Sequence, residues 1–98
     1  MAEDAVKVAP HAYKVLLEND RVRVLESRMK PGDRTEMHSH PALVAYAIQD
    51  GRFKFTFPDG ASEEIELQAG QVIFSDAVTH STENVGTTEG HVILVELK

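Results

Sequence analysis

Two histidines stand one residue apart in the stretch EMHSHPALVAYAIQDG, residues 36–51. Neutral imidazole is a common ligand for transition metals, so this spacing bears on chemistry. In a helix, residues two apart point about 200° apart around the axis, because each turns ~100°. One ion could not be shared there. In a strand the two side chains leave the same face, roughly 6.6 Å apart along the chain. His38 and His40 could then converge on a divalent ion such as Fe, Zn, Ni or Mn. An isolated His-x-His is a weak signal, and its ordinary reading is two solvated surface histidines. A third imidazole on a neighbouring strand would change that. His80, in DAVTHSTEN, follows the strand-like QVIFS and a small turn, and it is the candidate.

Strands must position such a set, and the chain supplies them. Turn signals recur at KPGD (30–33), QDG (49–51), PDG (58–60), QAG (68–70) and NVG (84–86). Between them lie VRVLESRM, EEIEL, QVIFS and HVILVEL, all suited to strands. RFKFTF alternates cleanly, with Phe53, Phe55 and Phe57 on one face. Asp50-Gly51 and Asp59-Gly60 carry the glycines that tight hairpins use for positive φ. PALVAYAI is ambiguous, because propensity alone allows a helix. It is short and runs directly into Asp-Gly, so a buried strand is expected. Many short strands between regular turns predict an all-β, antiparallel sandwich or barrel.

The chain has 98 residues, the length of one domain with a small core. Its net charge of −6, without a Lys/Arg cluster, argues against a nucleic acid partner. The longest apolar run, 42–48, is too short to span a bilayer. The acidic start MAEDAVKV does not resemble a secretory signal. The absence of cysteine excludes disulfides and thiolate ligands within this sequence, and a cytoplasmic location is expected.

Two segments resemble the paired motifs of the cupin superfamily. The first motif reads Gly, five residues, His-x-His, three or four residues, Glu, six residues, Gly. Residues 32–51 give Gly32, His38, His40, Val44 and Gly51. The second reads Gly, five residues, Pro-x-Gly, two residues, His, three residues, Asn. Residues 70–84 give Gly70, Ser75 and Ala77 in place of Pro and Gly, then His80 and Asn84, with one residue fewer before Ser75. The resemblance implies a single antiparallel jelly-roll β-barrel over residues 1–98, of the small conserved-barrel type. It also implies one divalent metal on His38, His40 and His80, with the usual Glu ligand replaced by Val44. Three neutral ligands would leave open positions for water or a small, anionic or chelating organic molecule. Some cupin dioxygenases use such an iron site; other members are isomerases, lyases or non-catalytic binding modules.

Several residues could complete this site. Glu36 has the strand parity of the histidine pair. Tyr46 has the parity of Val44 and could bring a phenol into the pocket. His91 shares parity with Ile93, Val95 and Leu97 and could point inward as a base or proton shuttle. For each, a structural role is the competing reading. Asn84 is expected to hold a turn and His11 to lie at the surface, while Phe53, Phe55, Phe57 and Phe74 are expected to be core. Apolar strands at both termini, YKVLL and HVILVEL, together with the family's habit, imply a homodimer.

Overall fold

The computed structural model describes residues 3–98. Its strands are β1 (Glu3–Asp4), β2 (Tyr13–Glu18), β3 (Val22–Met29), β4 (His38–His40), β5 (Leu43–Ala47) and β6 (Gly51–Thr56), followed by β7 (Ser62–Leu67), β8 (Val72–Ser75), β9 (Val78–Asn84) and β10 (Gly90–Leu97). One short helix, α1 (Ala5–Val8), follows β1; Asp4 caps it by accepting from the Val6 amide at 3.1 Å. The expected all-β class is observed, and every segment read as a strand is one. PALVAYAI, the ambiguous case, forms β5.

The strands hydrogen-bond into two five-stranded sheets, ordered β1-β4-β9-β6-β7 and β2-β3-β10-β5-β8. Pairing is antiparallel except between β1 and β4. The two sheets do not close into one continuous hydrogen-bonded barrel. A cavity of ≈ 290 Å³ lies between them, with Phe53, Phe55, Ile65 and Leu67 from one sheet and Ile73 and Leu94 from the other.

The glycines divide by role. Gly32, Gly60 and Gly70 have positive φ, as turn glycines do. Gly51 does not, contrary to the hairpin expected at Asp50-Gly51. The reason is topological: β5 and β6 lie in different sheets, so no tight hairpin joins them. Gly51 instead begins β6 beneath the ring of Phe53. Gly90 is under the same ring, and a Cβ there would lie 2.6 Å from two of its carbons. Gly90→Ala should therefore displace Phe53 from the cavity wall and cost about 1–3 kcal/mol, the usual range for overpacking. Urea unfolding measures this, and an unchanged midpoint would contradict the packing described.

Candidate metal centre

The site is built on the edge where β4 meets β9. Their antiparallel register places His38 directly opposite His80, and His40 follows His38 on the same face. All three are buried, at 0%, 4% and 8% exposure. One nitrogen from each ring lies within 4.8 Å of the others. Ligand nitrogens at the usual zinc distance of 2.0–2.1 Å are about 3.4 Å apart in tetrahedral geometry, so modest inward rotation closes the set. The rings pack edge to face, with centroids 4.8–5.5 Å apart.

Neighbouring groups fix these rings. His38 Nδ1 donates to the carbonyl of Glu36 at 2.9 Å, which leaves Nε2 as its lone-pair nitrogen. His40 Nδ1 is 2.6 Å from Glu96 Oε2, which leaves its Nε2 free as well. His80 stacks on Phe55, with centroids 4.6 Å apart and planes 5° from parallel. Burial, reinforced by the His38 and His40 rings, pushes the His80 pKa down to about 3. Burial also lowers that of His38. Buried imidazoles kept in the neutral form are the donor set a borderline metal ion takes. The residues fit a divalent transition metal.

Two residues at the centre were not foreseen. Glu96 is 1% exposed, although the sequence reading placed the odd-numbered side chains of β10 inward. The observed parity is the reverse. Val92 and Leu94 line the cavity, and Glu96 continues their face to His40. Its other oxygen accepts from Arg23 Nε at 2.8 Å. Arg23 also pairs with Asp4, so an ionic chain runs from the amino-terminal segment to His40. The second is Tyr13, 5% exposed, whose hydroxyl is 3.3 Å from His38 Nε2. Its ring is edge-on to His38 and His40, at 5.3 and 5.6 Å. Burial raises the phenol pKa to about 12.

The other candidates lie elsewhere. His91 is on the opposite face of β10, where Nε2 meets Glu26 Oε2 at 2.8 Å. It does not reach the cavity. Tyr46 is 46% exposed on the outer face of β5. Val44 shares that face, paired with Val95 and Phe74, so it cannot stand where a fourth ligand would. Leu43 and Ala45 are the buried residues of β5 that line the cavity. Counting four residues after His40 would put the motif's Glu at Ala45, but only five residues then precede Gly51, where the motif has six. Val44 therefore keeps the motif's spacing while its side chain faces away from the cavity. Glu36 is exposed because β4 begins only at His38, and strand parity does not extend back through the loop. Phe74, expected in the core, is 62% exposed.

Asn84 and His11 are as expected. Asn84 Nδ2 donates to the carbonyls of Met29 and Thr88, and Oδ1 accepts from the Gly86 amide, holding the turn into β10. His11 is exposed.

The family profile described as Cupin domain matches residues 25–96. Among solved structures, the chain is similar to a cupin domain from Bordetella pertussis, with 30% identity, a TM-score of 0.80, and 88% of this chain and 91% of that one covered. It is also similar in fold to an RmlC-like cupin family protein from Methanocaldococcus jannaschii, at 13% identity and TM-score 0.69, covering 87% and 77%. A third similarity in fold is to oxalate decarboxylase, at 23% identity and TM-score 0.62, where 87% of this chain covers 26% of that one. Comparison with curated proteins gave no match.

Proposed function

The chain belongs to the family of cupin domains, and from that premise we propose that it holds one divalent transition metal on His38, His40 and His80 and engages a small organic molecule with a chelating oxygen end. The observation that carries this is the triad itself: three buried imidazoles converging beside a largely apolar cavity. A metal ion held by these three residues would supply Lewis acidity toward an oxygen ligand. The chain's own residues supply the rest. Glu96 and the Glu36 carbonyl orient two ligands, and Phe55 braces the third. Phe53, Ile65, Leu67 and Leu94 keep water from the ligand's body. Among the described residues no Lys or Arg lines the cavity, so attraction for an anionic end would fall to the metal.

Oxygen-dependent cleavage of such a molecule is the reaction class to test. The competing reading is a binding module without catalysis. It is favoured by the engagement of Glu96 with His40 and Arg23, which ties up the carboxylate that touches the triad. Metal analysis of untagged protein, followed by oxygen uptake with small β-diketones and α-hydroxyketones, separates the two. Bound metal without uptake supports the module; absence of stoichiometric metal would defeat both.

We also propose a homodimer formed through the outer face of the second sheet. An apolar rung crosses all five strands there: Leu17, Val24, Val95, Val44 and Phe74 are successive register partners. Leu17 and Phe74 are 52% and 62% exposed, as befits side chains awaiting a cover. Sedimentation equilibrium should give twice the chain mass of 10.8 kDa for the parent and a single chain mass for Phe74→Glu. A monomeric parent at micromolar concentration would rule the dimer out. Among the described residues, no helix is long and apolar enough to cross a membrane.

A further inference from the structure

We infer that the Tyr13 hydroxyl, together with that of Thr82, is the hydrogen-bonding pair that receives the metal-bound oxygen of the ligand. This rests on the metal reading above and goes beyond it. The Glu36 carbonyl only accepts, so the proton of His38 is on Nδ1 and its lone pair is on Nε2. Tyr13, 3.3 Å from that nitrogen, must then be the donor in the metal-free chain. A cation and the phenol proton cannot both take the same lone pair. With Nε2 committed to an ion, the Tyr13 hydroxyl would lose this acceptor while still packed against His38 and His40. A buried donor left unpaired is costly, so it needs a new acceptor within reach.

The cavity is where that acceptor would come from, because Tyr13 lines it along with His40 and His80. Thr82 is a second, independent sign. It lines the same cavity, is 6% exposed, and its Oγ1 lies near enough to the Tyr13 phenol to act on it as a hydrogen-bonding neighbour, yet makes no well-formed hydrogen bond to any group among the described residues. Buried hydroxyls are seldom left so unless a ligand or water completes them. Two hydroxyls beside the triad, on a wall that is largely apolar apart from Ser27, Ser75 and Glu63, suit a coordinated oxygen that accepts hydrogen bonds: an enolate, a hydroxamate or a carboxylate. Beyond its coordinating end, such a ligand should carry an uncharged apolar body, since Glu63 is the only carboxylate on the lining and no cation is there.

Cobalt(II) and acetohydroxamate are the probes, followed by the visible spectrum of the cobalt protein. Tyr13→Phe keeps the ring and deletes the hydroxyl. It should leave cobalt affinity unchanged or raise it severalfold, since the cap on Nε2 is gone. Acetohydroxamate affinity should fall about tenfold, the worth of one well-placed hydrogen bond to an anion. Thr82→Val, nearly isosteric, should weaken the hydroxamate by several-fold and leave cobalt untouched; it carries the test if Tyr13→Phe does not fold. Unchanged hydroxamate affinity in both variants would overturn the inference while leaving the metal site standing. A tenfold or greater loss of cobalt affinity in Tyr13→Phe would overturn it differently, by making the phenol a ligand. Failure of the parent to bind cobalt would remove the metal reading and this inference together.

Discussion

His80→Ala should lower zinc affinity about a thousandfold, because losing one of three ligands forfeits roughly a third of a binding free energy of order 10–16 kcal/mol. Competition with a chromophoric chelator measures this. Affinity within tenfold of the parent would mean that His80 is not a ligand. The same variant has a second signature in the metal-free protein. His80 has a folded pKa near 3, against an ordinary value of 6.5. Above pH 6.5 neither state binds the proton, and the group has no effect on stability. Below it the unfolded chain protonates and the folded chain does not. Stability is then lost at up to about 1.4 kcal/mol per pH unit until the pH nears 3. His38, also lowered by burial, acts in the same direction. His80→Ala should therefore show a smaller drop in urea midpoint between pH 7 and pH 4.5 than the parent. An equal drop would mean that burial of His80 does not set the acid sensitivity.

How far these features were legible depended on whether alternation survived in the strand. In RFKFTF the pattern is clean, and Phe53, Phe55 and Phe57 do line the cavity. The His-x-His pair shares a face for the same reason. His80 could be found because the motif register and the β4–β9 pairing agree. In 42–48 and 92–95, by contrast, apolar residues occupy both faces, since the outer face of this sheet is itself apolar. Periodicity then carries no sign, and parity was assigned backwards. Val44, Tyr46 and His91 are offered to the interior by parity and lie elsewhere, whereas Glu96, which is buried, is not among the candidates that the pattern offers. Tyr13 was missed for another reason. It is 25 residues from His38, and nothing local in YKVLL distinguishes a phenol beside the histidine triad from a core aromatic. The N-terminal segment was equally silent, although Asp4 reaches Arg23 and β1 pairs with the strand that bears His38.

The Glu96 carboxylate is where stability and metal binding should come apart. It orients His40 through Nδ1 and also neutralises Arg23, whose side chain is only 16% exposed. Removing a carboxylate behind a metal-bound histidine usually costs about 10–100-fold in metal affinity. Removing one partner of a buried ion pair costs about 3–5 kcal/mol in stability. Glu96→Ala should show both losses, and alone would not say which caused which. Glu96→Gln keeps an acceptor for His40 while deleting the charge, so it should retain more zinc affinity than Glu96→Ala. Arg23→Met combined with Glu96→Leu removes both charges and fills their space, which for buried pairs is often neutral or stabilising. That double variant should recover most of the urea stability lost in Glu96→Ala, yet His40 would still lack its partner. Zinc affinity should stay 10-fold or more below the parent, by the same cost of losing a histidine's partner. If affinity returned along with stability, Glu96 would act only by holding the fold together. If it stayed low in a fully stable protein, the carboxylate acts on His40 itself, directing Nε2 at the metal.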